Sequence, residues 1–322
     1  MGAVETVAGP IDAEDLGFTL IHEHFFSGDE AVTAQWPHVR DHDHEYGLAL
    51  ESAEAVKQHG VRTVVDPTAM LLGRDVPGLQ RLAAATGLQI VACTGIYTYD
   101  LLPQFLLNRD EDFMAGLFVH DIQQGIQGTQ AKAAFIKCAA DEPGVNERIE
   151  KVHRAAARAS LRTAAPIMAH SRPASGTGPR QVEILLEEGV APEKIQIAHT
   201  GDSDDLGYIE ALLQQGVYIG MDRYGLDLFL PMAKRNATVL ELLRRGYAEQ
   251  MFLSQDFDIP IANGLDWFPP EVIEALAAAG AANGWSMTLL FEQVIPELTE
   301  QGMSADQLQT MMVENPRRWL GR

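Results

Sequence analysis

The sequence has little of what secreted and membrane proteins depend on. Only two of its 322 residues are cysteines, Cys93 and Cys138, and both lie in apolar runs. This argues against a disulfide framework and for a reducing compartment. The first residues carry no basic region followed by an apolar stretch, so no secretory signal is visible. No run is long and apolar enough for a transmembrane helix. We therefore expect a cytoplasmic protein with no membrane partner.

Basic residues are also scarce. Lysine and arginine number 24 against 45 acidic residues, which gives a formal net charge of −21. A field of this sign repels phosphate backbones and anionic membrane surfaces, so nucleic acid and lipid partners are not expected. Polyanionic substrates are disfavoured for the same reason, whereas a neutral, apolar small molecule is compatible with the charge. With 46 % hydrophobic residues, the chain is long enough to bury a large core.

Short apolar segments alternate with longer amphipathic ones along the whole chain. Each apolar segment is rich in valine, isoleucine or small residues, as strands that are buried on both faces should be. Eight strands that alternate with helices predict an α/β fold, a (β/α)8 TIM barrel formed by residues 1–322 as a single domain. The predicted strands span residues 19–24, 63–68, 90–95, 134–139, 166–171, 195–200, 218–223 and 251–256.

Several intervening segments carry helix boundary signals. Glycines follow the predicted helices 51–59 and 182–188, aspartates open 204–215, and Ser304 opens 305–313. A further helix is predicted over 287–301. The connection 257–285 is too long for a simple turn and is rich in proline and glycine. Because the loops that follow barrel strands surround the active site, we expect this connection to line the substrate site.

Four predicted strands carry a histidine or aspartate at or next to their C-terminal end, and a fifth carries a lysine near its end. Barrel enzymes gather catalytic groups at the C-terminal ends of their strands, so these side chains are expected to converge. The two histidines of the first strand are two residues apart, which places both side chains on one face. Imidazole and carboxylate groups bind divalent metals, and the pattern therefore predicts a two-metal hydrolytic centre. The predicted ligands are His22, His24, Lys137, His170, His199 and Asp256.

Two of these residues are expected to do more than bind. Lys137 lies among apolar neighbours, where a buried ammonium would be costly. Burial and nearby metals would lower its pKa, and the neutral amine could react with carbon dioxide to form a carbamate that bridges two cations. The site would then keep a small positive charge that polarises a carbonyl or phosphoryl oxygen. Asp256 could both hold a metal and carry a proton to the leaving group.

Each of these residues also has an ordinary structural explanation. A single histidine at a strand end can be a hydrogen-bonded core residue, and a lysine at a barrel end can extend its amine to solvent. An aspartate after a strand can cap a following helix, although the prolines and glycines after Asp256 do not favour an immediate helix. The metal site is favoured because all of these residues share one position, the C-terminal end of a strand.

The residues also match a known family. The chain resembles the phosphotriesterase-like lactonases of the amidohydrolase superfamily over essentially its whole length. The first two matching segments are highly specific, since they contain the paired histidines and the lysine in their full sequence contexts. The matching segments are residues 17–24, 135–144, 199–202, 222–227 and 315–318.

This resemblance implies a homodimeric barrel enzyme with two metals. It implies that His22, His24 and Asp256 hold the more buried metal, that His170 and His199 hold the more exposed one, and that carboxylated Lys137 bridges them. The family opens lactones, including the N-acyl homoserine lactones of bacterial quorum sensing, and often hydrolyses organophosphate triesters slowly as a side reaction. Tyr97 and Arg223 match residues that line the lactone site near the metals.

The expected reaction is therefore lactone hydrolysis by a metal-bridging hydroxide, with Asp256 as the proton carrier and Tyr97 as a hydrogen-bond donor. Nitrogen and oxygen ligands suit zinc, cobalt, manganese or iron, so the metals are not identified. Side chains expected to line the substrate site are Tyr99, Leu226, Phe229, Leu230 and Trp267; each aliphatic or aromatic one could equally be core or dimer packing.

One position departs from the family pattern. Relatives often carry Ser-His-Asp where this chain has Ser254-Gln255-Asp256. The change leaves the ligand itself untouched but could alter a hydrogen bond beside it. A dedicated organophosphate triester or carboxylic ester hydrolase is the main alternative function. Another amidohydrolase class, such as a deaminase or cyclic amidase, and a metal-stabilised binding protein without enzymatic activity are further alternatives.

Overall fold

Short parallel strands, buried on both faces, form the centre of the molecule. The computed structural model describes residues 2–265, 267–282 and 284–321. Eight strands lie side by side and form a nearly closed barrel. In their order around the sheet they are β3 Phe18–Leu20, β5 Val61–Asp66, β6 Gln89–Gly95, β7 Phe135–Ala139, β8 Ile167–His170, β9 Ile195–Ala198, β10 Tyr218–Met221 and β11 Met251–Leu253. The prediction of a single-domain (β/α)8 barrel is confirmed.

Helices surround the barrel and cover its outer face. Ile136, Ile167, Ile197 and Ile219 project from the strands into the large apolar core between the sheet and the helices. The helices are α1 Glu30–Gln35, α2 His42–Gln58, α3 Val76–Thr86, α4 Gln104–Leu107, α5 Glu111–Gln123, α6 Glu147–Thr163, α7 Thr177–Glu187, α8 Leu206–Leu213, α9 Met232–Arg244, α10 Ile259–Ala262, α11 Pro270–Ala278, α12 Ile295–Glu300, α13 Ala305–Gln309 and α14 Asn315–Leu320. Two π-helical turns, Leu290–Val294 and Thr310–Glu314, lead into α12 and α14.

A helix lies at each predicted segment, although α2 begins nine residues before the predicted 51–59 and α7 begins five residues before the predicted 182–188. Ser304 caps α13 in a capping box with Gln307, as its place before the predicted helix indicated. Asp205 caps α8, where its carboxylate accepts hydrogen bonds from the first turn. None of the described helices combines the length and the apolarity needed to cross a bilayer.

A hairpin at the start of the chain was not predicted. Strands β1 Ala3–Thr6 and β2 Gly9–Asp12 pair in antiparallel register, and they lack the long apolar runs of the barrel strands. Val4 packs into the barrel interior beside Trp319 of α14 and the strand residues Phe135 and Phe252. The hairpin and the last helix therefore cover the end of the barrel at which the strands begin, opposite the C-terminal strand ends.

The seam between β11 and β3 is closed beyond the ends of these strands. β3 ends at Leu20, earlier than predicted, and a two-residue strand, β4 Glu23–His24, pairs in parallel with β12 Phe257–Asp258. The backbone amide of Asp256 donates to the carbonyl of His22 over 3.0 Å. The first and last segments of the barrel are thus joined beside the predicted metal ligands.

The connection 257–285 contains more regular structure than the predicted loop. No helix follows Asp256 directly, as expected, because strand β12 comes next; helix α10 begins three residues after Asp256. The cap is Asp258, whose carboxylate accepts from the amide of Ile261. Proline was a misleading signal here, because Pro260 and Pro270 occupy the first turns of α10 and α11, where a missing amide hydrogen costs nothing.

Gly95 allows β6 to approach β7 closely. Its φ is +119°, and a Cβ at this position would lie 1.9 Å from the carbonyl oxygen of Lys137. We predict that Gly95→Ala lowers the free energy of unfolding by about 2 kcal/mol or more, because both strain and overlap oppose the new methyl group. Urea denaturation measures the change.

Gly47 provides the matched control. It lies inside α2, and a Cβ there would meet no atom within 4 Å. Gly47→Ala should leave stability unchanged or raise it by about 0.5–1 kcal/mol. Equal stability of the two variants would contradict the assignment of Gly95 as a close-contact position.

Candidate metal centre

The structure brings all six predicted ligands to one end of the barrel. His22 and His24 follow β3, Lys137 lies in β7, and His170 is the last residue of β8. His199 and Asp256 follow β9 and β11. All are buried except Asp256, whose side chain is 13 % exposed. The convergence follows from the parallel strands, because the C-terminal ends of such strands meet at one rim.

Three residues at this rim have an unusual backbone conformation. His199, Arg223 and Asp256, which follow three adjacent strands, have φ values of 63°, 61° and 50°. Non-glycine residues rarely adopt this left-handed conformation, which costs roughly 1–2 kcal/mol for each residue. Strain of this kind persists only where the surroundings enforce it, and it is concentrated at functional sites.

The ligand atoms approach one another closely. Oδ1 of Asp256 lies 3.1 Å from Nε2 of His22 and 3.2 Å from Nε2 of His24. Nε2 of His199 lies 2.9 Å from Nδ1 of His170. One ligand atom each from His22, His199 and Asp256 lie within 4.8 Å of one another, a spacing that suits a shared metal ion.

The second nitrogen of each histidine ring has its own polar neighbour. Nδ1 of His24 contacts the hydroxyl of Thr68 at 2.7 Å, and Nε2 of His170 contacts Asp141 at 3.1 Å. Asp222 lies 2.9 Å from Nδ1 of His199 and 3.3 Å from Nδ1 of His22. Metal-binding histidines are oriented in this way by carboxylates and hydroxyls. The donor set therefore fits divalent metal ions, with the opposite ring nitrogens left to bind them.

Burial keeps most of these imidazoles in the neutral form that binds metals. It lowers the pKa of His22 to about 4 and of His170 to about 3. Burial, together with the charge of Arg223, holds the pKa of His199 well below its usual value. At His24 burial acts in the same direction, but the hydrogen bond and charge of Asp256 outweigh it and raise the pKa.

Lys137 has the environment of a neutral amine. It is fully buried, and burial lowers its pKa to about 8. Its Nζ lies 3.2 Å from Nε2 of His22 and 3.4 Å from the sulfur of Met168. Within the described ranges, no carboxylate forms an ion pair with it. A neutral amine beside the ligand cluster is the form that reacts with carbon dioxide.

Arg223 connects the cluster to a buried ionic network. Its Nε donates to Oδ2 of Asp256 at 3.0 Å, and its terminal nitrogen pairs with Asp202 at 2.9 Å. Arg235 pairs with the other oxygen of Asp202 at 3.2 Å. Burial alone would raise the pKa of Asp256, but its interactions with the rings of His22 and His199, its hydrogen bond to His24 and the charge of Arg223 hold it well below its usual value. Asp256 is therefore an anionic ligand.

A cavity of about 440 Å3 opens directly above the cluster. His24, Arg223 and Asp256 contribute to its floor, and Tyr97 and Tyr99, whose hydroxyls contact each other, form one side. Most of the remaining wall is apolar. Among the residues expected to line the substrate site, Tyr99, Leu226, Phe229 and Trp267 lie on this wall, whereas Leu230 is buried outside it. Helices α10 and α11, the link between them and the segment after them add Ile261, Phe268, Ile273, Leu276 and Trp285.

Gln255 links the ligand cluster to the far wall of this cavity. Its side-chain amide donates to the backbone carbonyl of Met287 at 2.7 Å, and its backbone carbonyl accepts from the indole of Trp285 at 3.0 Å. Its side chain points away from the metal ligands, as the alternation along a strand predicts. The side chain at this position, where the chain departs from the family pattern, therefore contacts the backbone of Met287 rather than a metal ligand.

Sequence reasoning missed the residues that orient the ligands. Asp222, Asp141 and Thr68 also follow strand ends, which is a usable signal, but only the folded structure shows which ring each one contacts. Glu23 alternates with two histidines, and nothing in this local pattern indicates the distant amides that its carboxylate contacts.

A parallel barrel that gathers buried histidines and carboxylates beneath an open cavity has the architecture of a hydrolase that acts on small molecules. The comparison with family models agrees: residues 2–320 match the model of the phosphotriesterase family. The chain belongs to this family, and the resemblance drawn from its sequence is confirmed. The family consists of hydrolases that depend on two metal ions, and the cluster of His22, His199 and Asp256 is compatible with that dependence.

Individual relatives match over nearly the full length. The chain is 47 % identical over 311 residues to an aryldialkylphosphatase of Saccharolobus solfataricus, with 96 % of each chain covered. It is 39 % identical over 327 residues to a phosphotriesterase homology protein of Mycobacterium tuberculosis, covering 99 % of this chain and 97 % of the relative. The solved structure of the phosphotriesterase from M. tuberculosis superimposes with a TM-score of 0.91 at 38 % identity, covering 99 % and 98 % of the two chains.

Asp222 contacts two of the metal-binding rings, which makes it a test of the orienting role. We predict that Asp222→Asn weakens metal binding on the order of 10- to 100-fold, because the neutral amide no longer supports the basicity of the His199 ring. Competition with a chelator measures the affinity. Asp204→Asn, which removes an exposed ion pair with Lys234, should have no effect. An unchanged affinity in Asp222→Asn would contradict the role.

Proposed function

We propose that this chain hydrolyses lactones that carry an apolar chain, with phosphotriester hydrolysis as a side activity. The observation that carries the proposal is the cavity: its floor contains the ligand cluster and its wall is largely apolar. A neutral ring ester with an alkyl or acyl substituent fits both parts. The net charge of −21 disfavours polyanionic substrates and leaves such a neutral one unaffected.

The metal site is the first part of the proposal. His22, His24 and Asp256 would hold one divalent ion and His170 and His199 another, with Lys137, carboxylated on Nζ, between them. The ligands suit zinc, cobalt, manganese or iron. When bound, the metals supply a Lewis acid for the scissile carbonyl and lower the pKa of water.

The remaining chemistry belongs to the side chains. Burial raises the pKa of Tyr97 well above its usual value, so its hydroxyl stays protonated and can donate to the carbonyl or ring oxygen of the lactone. Asp256 takes a proton from the attacking water and returns it to the ring alkoxide as the acyl C–O bond breaks, which yields a hydroxy acid. Arg223, bonded to Oδ2 of Asp256, fixes the carboxylate in that position.

The apolar wall would bind the substituent of the lactone. Leu226, Phe229 and Trp267 contribute aliphatic and aromatic surface, and the ring of Phe229 lies 4.4 Å beneath the guanidinium of Arg223. Burial of each methylene of an acyl chain contributes roughly 0.8 kcal/mol, so the wall favours lactones with longer chains.

Organophosphate triesters are the second candidate substrates. This alternative is supported by the 47 % identity to a protein named aryldialkylphosphatase. A triester is also neutral and apolar, so the cavity does not distinguish it from a lactone. A homodimer and a cytoplasmic location, the latter suggested by two buried, unpaired cysteines, complete the proposal.

Comparison of kcat/KM across substrate classes tests the function. The substrates are an N-acyl homoserine lactone, an undecanolactone, an aryl carboxylic ester and a dialkyl aryl phosphate, each measured with metal-replete protein. We expect at least one lactone to exceed the phosphotriester by on the order of 100-fold or more. A higher value for the phosphotriester would favour the alternative, and hydrolysis of none of them would reject both.

Removal of a ligand should abolish this activity. We predict that Asp256→Asn or His24→Ala loses lactone turnover by a factor on the order of 10^4 or more, because both ligation and proton transfer are affected. Circular dichroism should show a folded barrel. The control is Asp29→Asn, which alters only the cap of α1 and should retain activity. Full turnover in either ligand variant would reject the mechanism.

Carboxylation of Lys137 can be observed directly. We predict that protein loaded with metal in 13C-bicarbonate shows a carbamate carbon resonance that is absent from Lys137→Arg, because burial lowers the pKa of the Lys137 amine to about 8 and so increases the fraction of reactive neutral amine. Exposed lysines such as Lys234 remain in both proteins and serve as the internal control. An identical spectrum for the two proteins would rule out the modification.

A further inference from the structure

Glu23 is a fully buried carboxylate that the proposed chemistry does not use. It lies between His22 and His24 in the sequence, and its side chain is 0 % exposed. Its contacts are on the opposite side of the segment from the ligand cluster. An acidic group without solvent contact is costly unless its oxygens accept several hydrogen bonds, so its environment indicates a specific task.

The partners of Glu23 are the residues on either side of Asp256. Oε1 accepts from the hydroxyl of Ser254 at 2.7 Å and from the backbone amide of Gln255 at 3.0 Å. Oε2 accepts from the backbone amide of Phe257 at 2.8 Å. The hydroxyl of Ser254 in turn accepts from the amide of His22 at 3.0 Å. Both oxygens are therefore occupied by donors and are not free to bind a metal or a substrate.

These bonds hold a backbone that would otherwise relax. Asp256 has a φ of 50°, a conformation that an aspartate adopts at a cost. The amide before it and the amide after it both donate to one rigid carboxylate, and its own amide donates to the carbonyl of His22. The direction of the Asp256 side chain is set by this backbone, so the two oxygens of Glu23 determine where the Asp256 carboxylate points.

We propose that Glu23 is the positioning residue of Asp256: it clamps the backbone amides of the residues on both sides of the left-handed residue and so sets the geometry of proton transfer. The inference rests on the proposed function, in which Asp256 returns a proton to the leaving group. Glu23 contacts neither the substrate nor the reacting atoms, and its effect on catalysis is exerted through Asp256.

Glu23→Gln breaks this clamp with almost no change in volume. The amide nitrogen of glutamine is a donor, so it must face at least one of the three donors that Glu23 now accepts from. The peptide at Gln255 or Phe257 loses its partner, and Asp256 is released from its enforced conformation. Misplacement of a catalytic group by about 1 Å can cost on the order of 100-fold in rate.

The test compares a γ-lactone with the thiolactone of the same ring and acyl chain. An alkoxide needs a proton to leave, whereas a thiolate leaves without one, so only the lactone depends strongly on proton return. In metal-replete Glu23→Gln we expect kcat for the lactone to fall on the order of 100-fold with KM unchanged, and kcat for the thiolactone to fall less than about 10-fold. Glu23→Asp, which keeps an acceptor, should recover part of the lactone rate.

The controls separate positioning from general destabilisation. Glu297→Gln alters a carboxylate that bonds Asn236 away from the site, and it should lower neither rate. If Glu23→Gln folds poorly, Ser254→Ala removes one of the three hydrogen bonds that Glu23 accepts. This variant should show a smaller excess loss of lactone kcat over thiolactone kcat, in the same direction. A crystal structure of the folded variant should show Asp256 outside the left-handed region.

Two results would overturn the inference. Equal losses for lactone and thiolactone in Glu23→Gln would mean that the residue is only structural, and an unchanged φ at Asp256 would mean that it clamps nothing. Both leave the proposed function intact, since the wild-type protein still opens lactones. If the wild type opens no lactone, the proposed function is wrong, and the inference that rests on it is rejected as well.

Discussion

The rest of the site depends on the contacts that the carboxylate of Asp256 makes. One of its oxygens faces His22 and His24 and the other accepts from Arg223. These contacts join three separate strand ends, including the first and the last of the barrel, across the seam where β3 and β11 are not paired directly. The carboxylate therefore has two roles, because it closes the barrel rim and supplies an anionic group among neutral imidazoles.

The surroundings of this carboxylate show how a strongly acidic protein keeps a buried side chain anionic, so that it can bind a metal. The formal charge of the chain is −21, yet Arg223 and Arg235 are buried beside Asp202 and Asp256. At these short distances local charges outweigh the distant surface field. Burial lowers the pKa of His22, His170 and His199, so most of the positive charge that offsets Asp256 comes from arginine and, in our account, from the metals.

Much of the fold and the position of the ligands could be predicted from the sequence. Apolar segments of strand length delimit all eight barrel strands, and a parallel barrel has only one rim at which their last residues can meet. His22, Lys137, His170 and Asp256 come together for this reason, although their separations in the sequence are large. Their assignment to individual metals rests on the family resemblance and stays a prediction.

Other features depend on contacts that no local pattern encodes. Asp222 serves two imidazoles and Glu23 holds two peptides, and both relations join segments that are far apart in the chain. The helices of the 257–285 segment were obscured because Pro260 and Pro270 are compatible with a first helical turn as well as with a loop. The β1–β2 hairpin has a short, half-buried pattern that only its packing against Trp319 explains.

Anomalous X-ray diffraction from crystals of the metal-replete protein tests the central claim most directly, because it locates metal ions independently of any assay. We expect two peaks roughly 3.5–4 Å apart, one beside Nε2 of His22 and His24 and one beside the facing nitrogens of His170 and His199, with Lys137 Nζ extended between them. A single peak elsewhere on the molecule, or none in this cluster, would contradict the account.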